Sequence, residues 1–160
     1  MRFPVRWVFV LLVLACTLSL WGATSSAREM EGTVVWIVDG DTIHVRIGST
    51  IEKVRYIGVN TPEVHHPTKG EEPGGREASE VNRQLVAAKR VRLQLDVQER
   101  DRYGRLLAYV WLGDLMVNAE MVRQGYAQVM TIPPNVRHQD LFLKLQRDAR
   151  EAGRGLWRRA

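Results

Sequence analysis

The sequence predicts an α+β fold in which five short strands close into a small barrel and about three α-helices are added to it. Strand patterns dominate the first half of the chain, one helical pattern follows the third strand, and further helical patterns lie near the end. A five-stranded barrel of this size is typical of the oligonucleotide/oligosaccharide-binding (OB) fold. With 160 residues the chain is long enough for one domain with a real core.

Three strands are predicted in the first part of the domain. Residues 33–38 are β-branched and aromatic, and they end at the turn dipeptide Asp39-Gly40. Residues 42–47 alternate apolar and polar side chains, which is typical of a half-buried strand. Residues 51–59 form the third strand after a second turn. Consecutive strands joined by short turns predict an antiparallel meander.

A polar loop, a helix and two more strands follow. Residues 60–75 contain three prolines, which argue against helix or central strand. The next segment, residues 76–89, has apolar side chains at helical spacing. Residues 91–97 alternate and predict a fourth strand, whereas residues 106–112 are apolar on both faces and predict a buried fifth strand. The apolar face of the helix comprises Ala78, Val81, Leu85 and Ala88.

Two helices are predicted in the last third of the chain. Asn118 is interpreted as the N-cap of a short helix that ends at Gly125. A proline-containing loop, residues 131–135, separates it from a last amphipathic helix that begins near His138. The side chains expected to be buried by this last helix are Leu141, Leu145, Ala149 and Ala152.

The first 27 residues are predicted to be a signal peptide, so that residues 28–160 form the folded domain. Arg2 and Arg6 make a positive start, an apolar stretch follows, and Ser25-Ser26-Ala27 is a small-residue cleavage pattern. Two alternatives remain open. Residues 7–23 could stay as a membrane anchor, and the segment before Cys16 is similar to a lipoprotein signal. All three interpretations predict an exported, secreted or cell-envelope protein, with membrane contact only through residues 7–23.

Net charge and cysteine content limit the binding partners and the kinds of metal or catalytic site that we expect. The formal net charge is +5, and removal of residues 1–27 with their two arginines leaves 21 basic and 18 acidic residues, a net charge of +3. Nucleic acid, an anionic membrane surface or another polyanion are therefore the first partners to test, and the alternative is that the charge only keeps the surface soluble. Cys16 is the only cysteine, which excludes a disulfide, a thiolate metal site and a cysteine nucleophile from the domain.

Two carboxylates and two arginines stand out by position. Asp41 follows a turn, Arg55 lies late in an apolar strand, Glu63 lies just beyond that strand, and Arg105 ends a charged loop. Each alone could be a turn residue, an ion-pair partner or a solvated charge. Together they suit phosphodiester hydrolysis, because guanidinium groups bind phosphate oxygens with two aligned donors and a carboxylate can deprotonate water. A hard cation with oxygen ligands can assist them.

Several ordered sequence blocks carry a resemblance to a known family. They include Val38-Asp39-Gly40-Asp41-Thr42, Arg55 to Glu63 and Asp101 to Tyr109, with shorter blocks at residues 66–70, 77–79, 116–118 and 122–125. From about Gly32 to Trp157 the chain resembles the staphylococcal nuclease (thermonuclease) family. The resemblance implies an OB-fold barrel, one Ca²⁺ ion and hydrolysis of single-stranded or melted DNA and of RNA. Cleavage on the 5′-oxygen side would leave 3′-phosphate ends.

The resemblance also implies roles for particular residues. Glu63 would be the general base, and Arg55 and Arg105 would bind the phosphate. The metal ligands would be Asp41, the backbone carbonyl of Thr61 and Asn60, which replaces an aspartate of the family. The positions that contact the nucleotide would be Lys69, Arg102 and Tyr103. Two nucleotide-flanking tyrosines of the family correspond here to Thr131 and Pro133.

Two other classes of function remain open from sequence. The same barrel could be a weakly active or inactive module that only binds nucleic acid, and this alternative predicts binding without chelator-sensitive products. A retained apolar segment at residues 7–23 with no nucleic-acid affinity would instead indicate an anchored structural protein of the cell envelope. No obligate protein partner is inferred, and we expect a monomer.

Overall fold

The computed structural model describes residues 28–64 and 70–158. The predicted signal peptide, residues 1–27, and the predicted substrate-binding Lys69 lie outside the described residues. None of the helices within those two ranges combines the length and apolar character that a membrane-spanning helix requires. The elements in chain order are β1 (Glu29–Ile37), β2 (Thr42–Ile47), β3 (Thr50–Tyr56), β4 (Val59–Asn60), α1 (Gly75–Val86), β5 (Arg90–Gln94), β6 (Leu106–Leu112), β7 (Leu115–Met116), α2 (Val117–Arg123), β8 (Gln128–Val129), α3 (Gln139–Glu151) and a 3-10 helix (Gly155–Trp157).

Five strands form a closed barrel, which confirms the predicted OB fold. The order is β3-β2-β1-β5-β6, with antiparallel neighbours throughout, and β3 pairs in parallel with β6 to close the ring. In that closing pair Val54 lies opposite Leu106 and Arg55 opposite Leu107. Closure satisfies the backbone groups of both edge strands. It also brings the end of β3 beside the start of β6.

The core fills the barrel and the space beneath the helices. Alternation along each strand turns one set of side chains inward, and Ile43, Val45, Val54 and Leu93 are fully buried there. The helices cover the barrel with small and apolar side chains, such as Ala78 of α1. No cysteine is available to cross-link the domain, so burial of this core is the main contribution to its stability.

The first strand begins earlier than the sequence pattern predicts. Residues 29–32 extend β1 along β5, although two of them are glutamates. Glu29 forms an ion pair with Arg92, and Glu31 forms one with Arg90. The polar segment is therefore part of the sheet because its side chains pair with cations on the neighbouring strand.

Two other predicted boundaries move because glycine and alanine take positive φ angles. The predicted third strand, residues 51–59, is interrupted at Gly58, whose φ is 79°, and its last part becomes β4, which pairs with β8. The predicted helix over residues 76–89 ends at Val86, and Ala88 has a φ of 58°. A left-handed residue cannot continue a right-handed helix, so the chain turns there into β5.

The interpretation of Asn118 as a helix N-cap was wrong. Asn118 lies inside α2 and is completely buried. Its Oδ1 accepts a hydrogen bond from the backbone N–H of Val110 at 2.9 Å, and its Nδ2 donates to the carbonyl oxygens of Ile57 at 3.0 Å and Ala108 at 3.3 Å. The amide therefore supplies backbone hydrogen bonds that join α2 to the barrel.

The predicted buried face of the last helix is confirmed at Ala149 and in part at Leu145, but it was wrong at Leu141 and Ala152. Phe142 and Ala149 are buried, whereas Leu141 and Ala152 are exposed. Phe142 packs against Tyr109 with ring centroids 6.3 Å apart. The aromatic ring buries more surface than a leucine does, which favours the rotation of α3 that places Phe142 rather than Leu141 toward the barrel.

Candidate active site

Three separate segments meet at one end of the barrel. The β1–β2 turn supplies Asp41, the end of β3 supplies Arg55, and the segment at β4 supplies Asn60 and Thr61. Asp41 Oδ2 accepts the backbone N–H of Thr61 at 2.8 Å and lies 3.1 Å from Arg55 Nη2. The structure thus brings four of the predicted site residues into one hydrogen-bonded group.

Arg55 is buried, and its two terminal nitrogens bond four oxygen atoms. Its Nη1 donates to the carbonyl oxygens of Tyr56 at 2.9 Å and Val59 at 2.8 Å. Its Nη2 donates to Asn60 Oδ1 at 3.0 Å and pairs with Asp41. A buried guanidinium is tolerated only when it is paired and hydrogen-bonded. These contacts fix the position of the cation at the end of the strand.

Asp39 and Asp41 form a crowded pair of buried carboxylates. Asp39 Oδ1 accepts the backbone N–H of Asp41 at 3.0 Å, and Asp41 Oδ1 accepts the hydroxyl of Thr42 at 3.0 Å. Burial, and then the negative charge of Asp41, raises the pKa of Asp39 to about 7, and Glu63 adds to the effect. Sequence analysis treated Asp39 only as a turn residue, although the Asp-Gly-Asp spacing places both carboxylates at this turn.

Gly40 allows the turn to pack tightly on Thr61. A Cβ atom at Gly40 would lie 2.7 Å from Thr61 Oγ1, so a larger residue would displace that side chain. Thr61 Oγ1 is buried, and no hydrogen-bond partner for it exists among the residues that the structure describes. A buried hydroxyl without a partner is unusual and marks a site where a further polar group can be accommodated.

Glu63 presents an exposed carboxylate beside this group. Its backbone N–H donates to Glu72 Oε2 at 3.0 Å, and its carbonyl accepts the N–H of Glu72 at 2.9 Å. Gly75 at the start of α1 approaches so closely that a Cβ there would lie 2.7 Å from the same carbonyl oxygen. The backbone of Glu63 is therefore fixed, while no side chain in the described part of the protein bonds its carboxylate.

Arg105 is oriented by Asp101, which sequence analysis did not single out. Asp101 Oδ2 accepts Arg105 Nε at 2.7 Å, and Asp101 Oδ1 accepts the backbone N–H groups of Tyr103 and Arg105. Burial acts to raise the pKa of Asp101, but the hydrogen bonds from Arg105 lower it overall below its usual range. The bond at Nε leaves the two terminal nitrogens of Arg105 without partners among the described residues.

Arg102 and Tyr103 lie on the exposed loop next to Arg105. The guanidinium of Arg102 stacks on the Tyr103 ring at 4.8 Å and its Nη2 lies 2.6 Å from the Tyr103 hydroxyl. The same ring lies 5.5 Å from the Arg105 guanidinium. Tyr103 is 67% exposed. The loop therefore offers an aromatic face and two cations at the rim of the site.

A cleft of about 130 Å³ connects the two arginines. Its outer wall is aliphatic, with exposed Met130 and Ile132 next to the positions Thr131 and Pro133. Asn135 supports this wall, since its side chain exchanges two hydrogen bonds of 2.8 Å with the backbone of Gln98. The residues that line the cleft are Arg55, Tyr56, Ile57, Gly58, Val59, Gln98, Asp101, Arg105, Leu107, Met130, Ile132 and Asn135.

Comparison with known proteins decides the family. The family model described as staphylococcal nuclease homologue matches residues 53–159. A thermonuclease of Staphylococcus hyicus is 38% identical over 133 residues, which cover 83% of this chain and 79% of that protein. A thermonuclease of Staphylococcus intermedius is 39% identical over 137 residues, with coverage of 86% and 82%. The chain belongs to the staphylococcal nuclease family. The endonuclease YncB of Bacillus subtilis is 35% identical over 122 residues, covering 75% of this chain and 58% of that protein.

Membership of the staphylococcal nuclease family raises the question of a metal ion. Within residues 28–64 and 70–158 no group of three or more His, Cys, Asp or Glu side chains is arranged to hold a metal. The donors beside Arg55 are instead the carboxylate of Asp41, the amide oxygen of Asn60 and the carbonyl of Thr61, to which Asn60 Nδ2 donates only a long bond of 3.4 Å. A set made only of oxygens fits Ca²⁺, and the crowded negative charge around Asp39 also favours a cation.

Proposed function

We propose that this protein is a calcium-dependent nuclease. It hydrolyses phosphodiester bonds of DNA and RNA on the 5′-oxygen side and leaves 3′-phosphate ends. The observation that supports this most is that Arg55 and Arg105 line one cleft, while Arg55 is paired with Asp41 beside Asp39, whose pKa the charge of Glu63 helps to raise. Two guanidinium groups on one cleft, with a nearby carboxylate that no side chain in the described ranges bonds, suit an anionic substrate that is attacked by water.

In the proposed mechanism each residue acts on a defined atom. Arg105 donates its terminal N–H groups to phosphate oxygens, and Arg55 stabilises the charge that develops on them. Glu63 accepts a proton from water as the water oxygen bonds to phosphorus and the bond to the 5′ oxygen breaks, and the departing oxygen takes up a proton from solvent water to become a hydroxyl. Asp41, Asn60 and Thr61 would hold the calcium ion, which supplies charge neutralisation at the phosphate. Tyr103, Arg102 and Lys69 would contact the nucleotide.

The test is incubation of the full chain with single-stranded DNA or RNA, with Ca²⁺ or with a chelator. We expect fragments only when Ca²⁺ is present, with phosphate at their 3′ ends by product-end analysis. Binding without chelator-sensitive fragments would reject the nuclease proposal and leave a nucleic-acid-binding module. Fragments that carry 5′-phosphate ends would reject the direction of cleavage.

Asn60→Asp is expected to lower the Ca²⁺ concentration that gives half-maximal activity. The amide oxygen of Asn60 can coordinate, but a carboxylate would add a full negative charge near the cation. At an effective dielectric constant of about 20 such an attraction is roughly several kcal/mol before the desolvation cost is subtracted. Calcium titration by activity and by calorimetry measures the shift. Unchanged or weaker binding would mean that position 60 does not face the metal.

We also propose that residues 1–27 direct export of the domain, residues 28–160. The support is the basic start, the apolar stretch and the small-residue pattern before Arg28. N-terminal sequencing of the protein recovered outside the cytoplasmic membrane should begin at Arg28. A lipid-modified start at Cys16 or a start at Met1 would instead select one of the other two interpretations, and recovery only from the cytoplasm would reject export.

A further inference from the structure

The outer face of the first three strands exposes an indole ring. Trp36 on β1 is 66% exposed, and Val35 beside it and Ile51 on β3 are also exposed. Scattered apolar side chains on a surface need no explanation, but a large aromatic ring beside other apolar groups marks an interaction surface. Tryptophan combines a wide apolar face with a rigid ring, which suits it to stacking.

Strand register places basic side chains in one row with this ring. His44 on β2 lies opposite Trp36 on β1 and opposite Lys53 on β3. The intervening residues Ile43 and Val54 are fully buried inside the barrel. Because side chains alternate between the two faces of a strand, the three residues of this row face outward. In the next row Arg46 lies opposite Ile51.

The row ends at the candidate active site. Lys53 and Arg55 are two residues apart on β3, so they share a face and lie about 7 Å apart along the strand. On the other side, the parallel pairing of Val54 with Leu106 places Arg105 next to Lys53. A continuous surface therefore leads from the arginine-lined cleft across β3 and β2 to Trp36.

The cations of this surface are not neutralised by acids. Within the parts of the chain that the structure describes, Arg46 and Lys53 form no ion pair. The neighbouring strand β5 is different, since Arg90 and Arg92 are paired with Glu31 and Glu29. Unpaired cations remain available to phosphate groups.

We propose that this face is a second binding site for the substrate strand. The strand leaves the cleft and crosses β3 and β2, where Lys53 and Arg46 contact phosphates, and one base stacks on Trp36. The path from β6 to β1 covers three strand spacings, about 14 Å. OB folds bind roughly 4–16 nucleotides, and a path of this length suits the short end of that range. The inference rests on the proposed function. An anionic membrane is a different partner, and continuity with the cleft favours the nucleic-acid strand.

The first test compares a long and a short substrate. Binding of a single-stranded oligonucleotide of about 12 nucleotides to the full chain is measured by fluorescence anisotropy in chelator, and cleavage of a dinucleotide is measured with Ca²⁺. Trp36→Ala should weaken oligonucleotide binding by about 5- to 100-fold, the loss typical of one stacked base, while dinucleotide kcat/KM stays unchanged. Trp36→Phe should retain most of the affinity. Leu141→Ala, which removes an exposed side chain from α3, is the matched control.

The second test measures the salt dependence of the same binding. Loss of each phosphate contact should reduce the slope of log K against log salt concentration by about 0.7 for a single strand. Arg46→Ala and Lys53→Ala should each reduce this slope. Arg147→Ala on α3 removes the same charge but should leave the slope unchanged. An unchanged slope in the first two variants, or an equal change in the control, would overturn the proposal.

The outcomes separate this proposal from the proposed function. If the chain binds the oligonucleotide in a Trp36-dependent way but cleaves nothing, the binding site stands and the nuclease proposal fails. If it cleaves normally and Trp36→Ala binds like wild type, the binding site is overturned. Trp36-dependent sedimentation with anionic phospholipid vesicles, together with an unchanged oligonucleotide affinity, would also overturn it and assign the face to membranes.

Discussion

Glu63→Gln is expected to lower kcat by about 10²–10⁴-fold, the usual contribution of a general base. Glutamine keeps the size of the side chain and its hydrogen-bonding oxygen but cannot accept a proton from water. Among residues 28–64 and 70–158, Glu63 is bonded only through its backbone, which contacts Glu72. We therefore expect the substitution to leave the fold and the affinity for single-stranded DNA nearly unchanged.

The measurement is kcat at saturating substrate and Ca²⁺, together with oligonucleotide affinity in chelator. Glu151→Gln is the matched control, because it removes an equal charge from the exposed end of α3. A Glu63→Gln variant that kept more than about half of the wild-type kcat would remove Glu63 from the role of base, since base catalysis contributes at least about 100-fold.

Arg105→Lys is expected to lower kcat by about 10²–10³-fold, the loss typical of one donor to developing charge. An ammonium group keeps the positive charge but cannot place two aligned N–H groups on a phosphate. It also cannot keep the bond from Arg105 Nε to Asp101 that orients the fork. The effect should therefore fall on kcat more than on KM.

Arg55→Lys should show the same kinetic pattern with an additional loss of stability. Arg55 bonds four acceptors, two backbone carbonyls, Asn60 Oδ1 and the buried Asp41, whereas the ammonium group of lysine has only three N–H donors. Thermal unfolding distinguishes the two contributions, and Arg147→Lys on α3 serves as the control. If Arg105→Lys changed only KM, Arg105 would be a simple binding charge.

Local patterns predicted the strands of the barrel well where the burial of a strand follows directly from its own sequence. The predicted strands over residues 42–47 and 106–112 coincide with β2 and β6, because period-two alternation and uninterrupted apolar runs both reflect burial directly. The start of β1 was missed because Glu29 and Glu31 are polar, and their pairing with Arg92 and Arg90 is decided by a strand far away in sequence.

The residues of the candidate site also fall into two groups, those that the sequence pattern indicates and those that only the fold reveals. The residues with distinctive chemistry, Asp41, Arg55, Glu63 and Arg105, were singled out from sequence because charges stand out beside apolar strands and match a family pattern. Asp101 was missed and Asn118 was misinterpreted. A turn aspartate and a helix-terminal asparagine have the same sequence pattern whether they face solvent or form buried hydrogen bonds. Only the fold shows that Asp101 holds a guanidinium and that Asn118 bonds three backbone groups.

The parallel pairing of β3 with β6 has a consequence for when the protein can be active. Arg55 and Arg105 come from opposite halves of the domain and become neighbours only when that pairing closes the barrel. Contacts between distant segments form late, because the loop entropy must be overcome before they are gained. Export of the domain is our proposal, and a chain that crosses the membrane before β3 pairs with β6 would carry no assembled site in the cell that makes it.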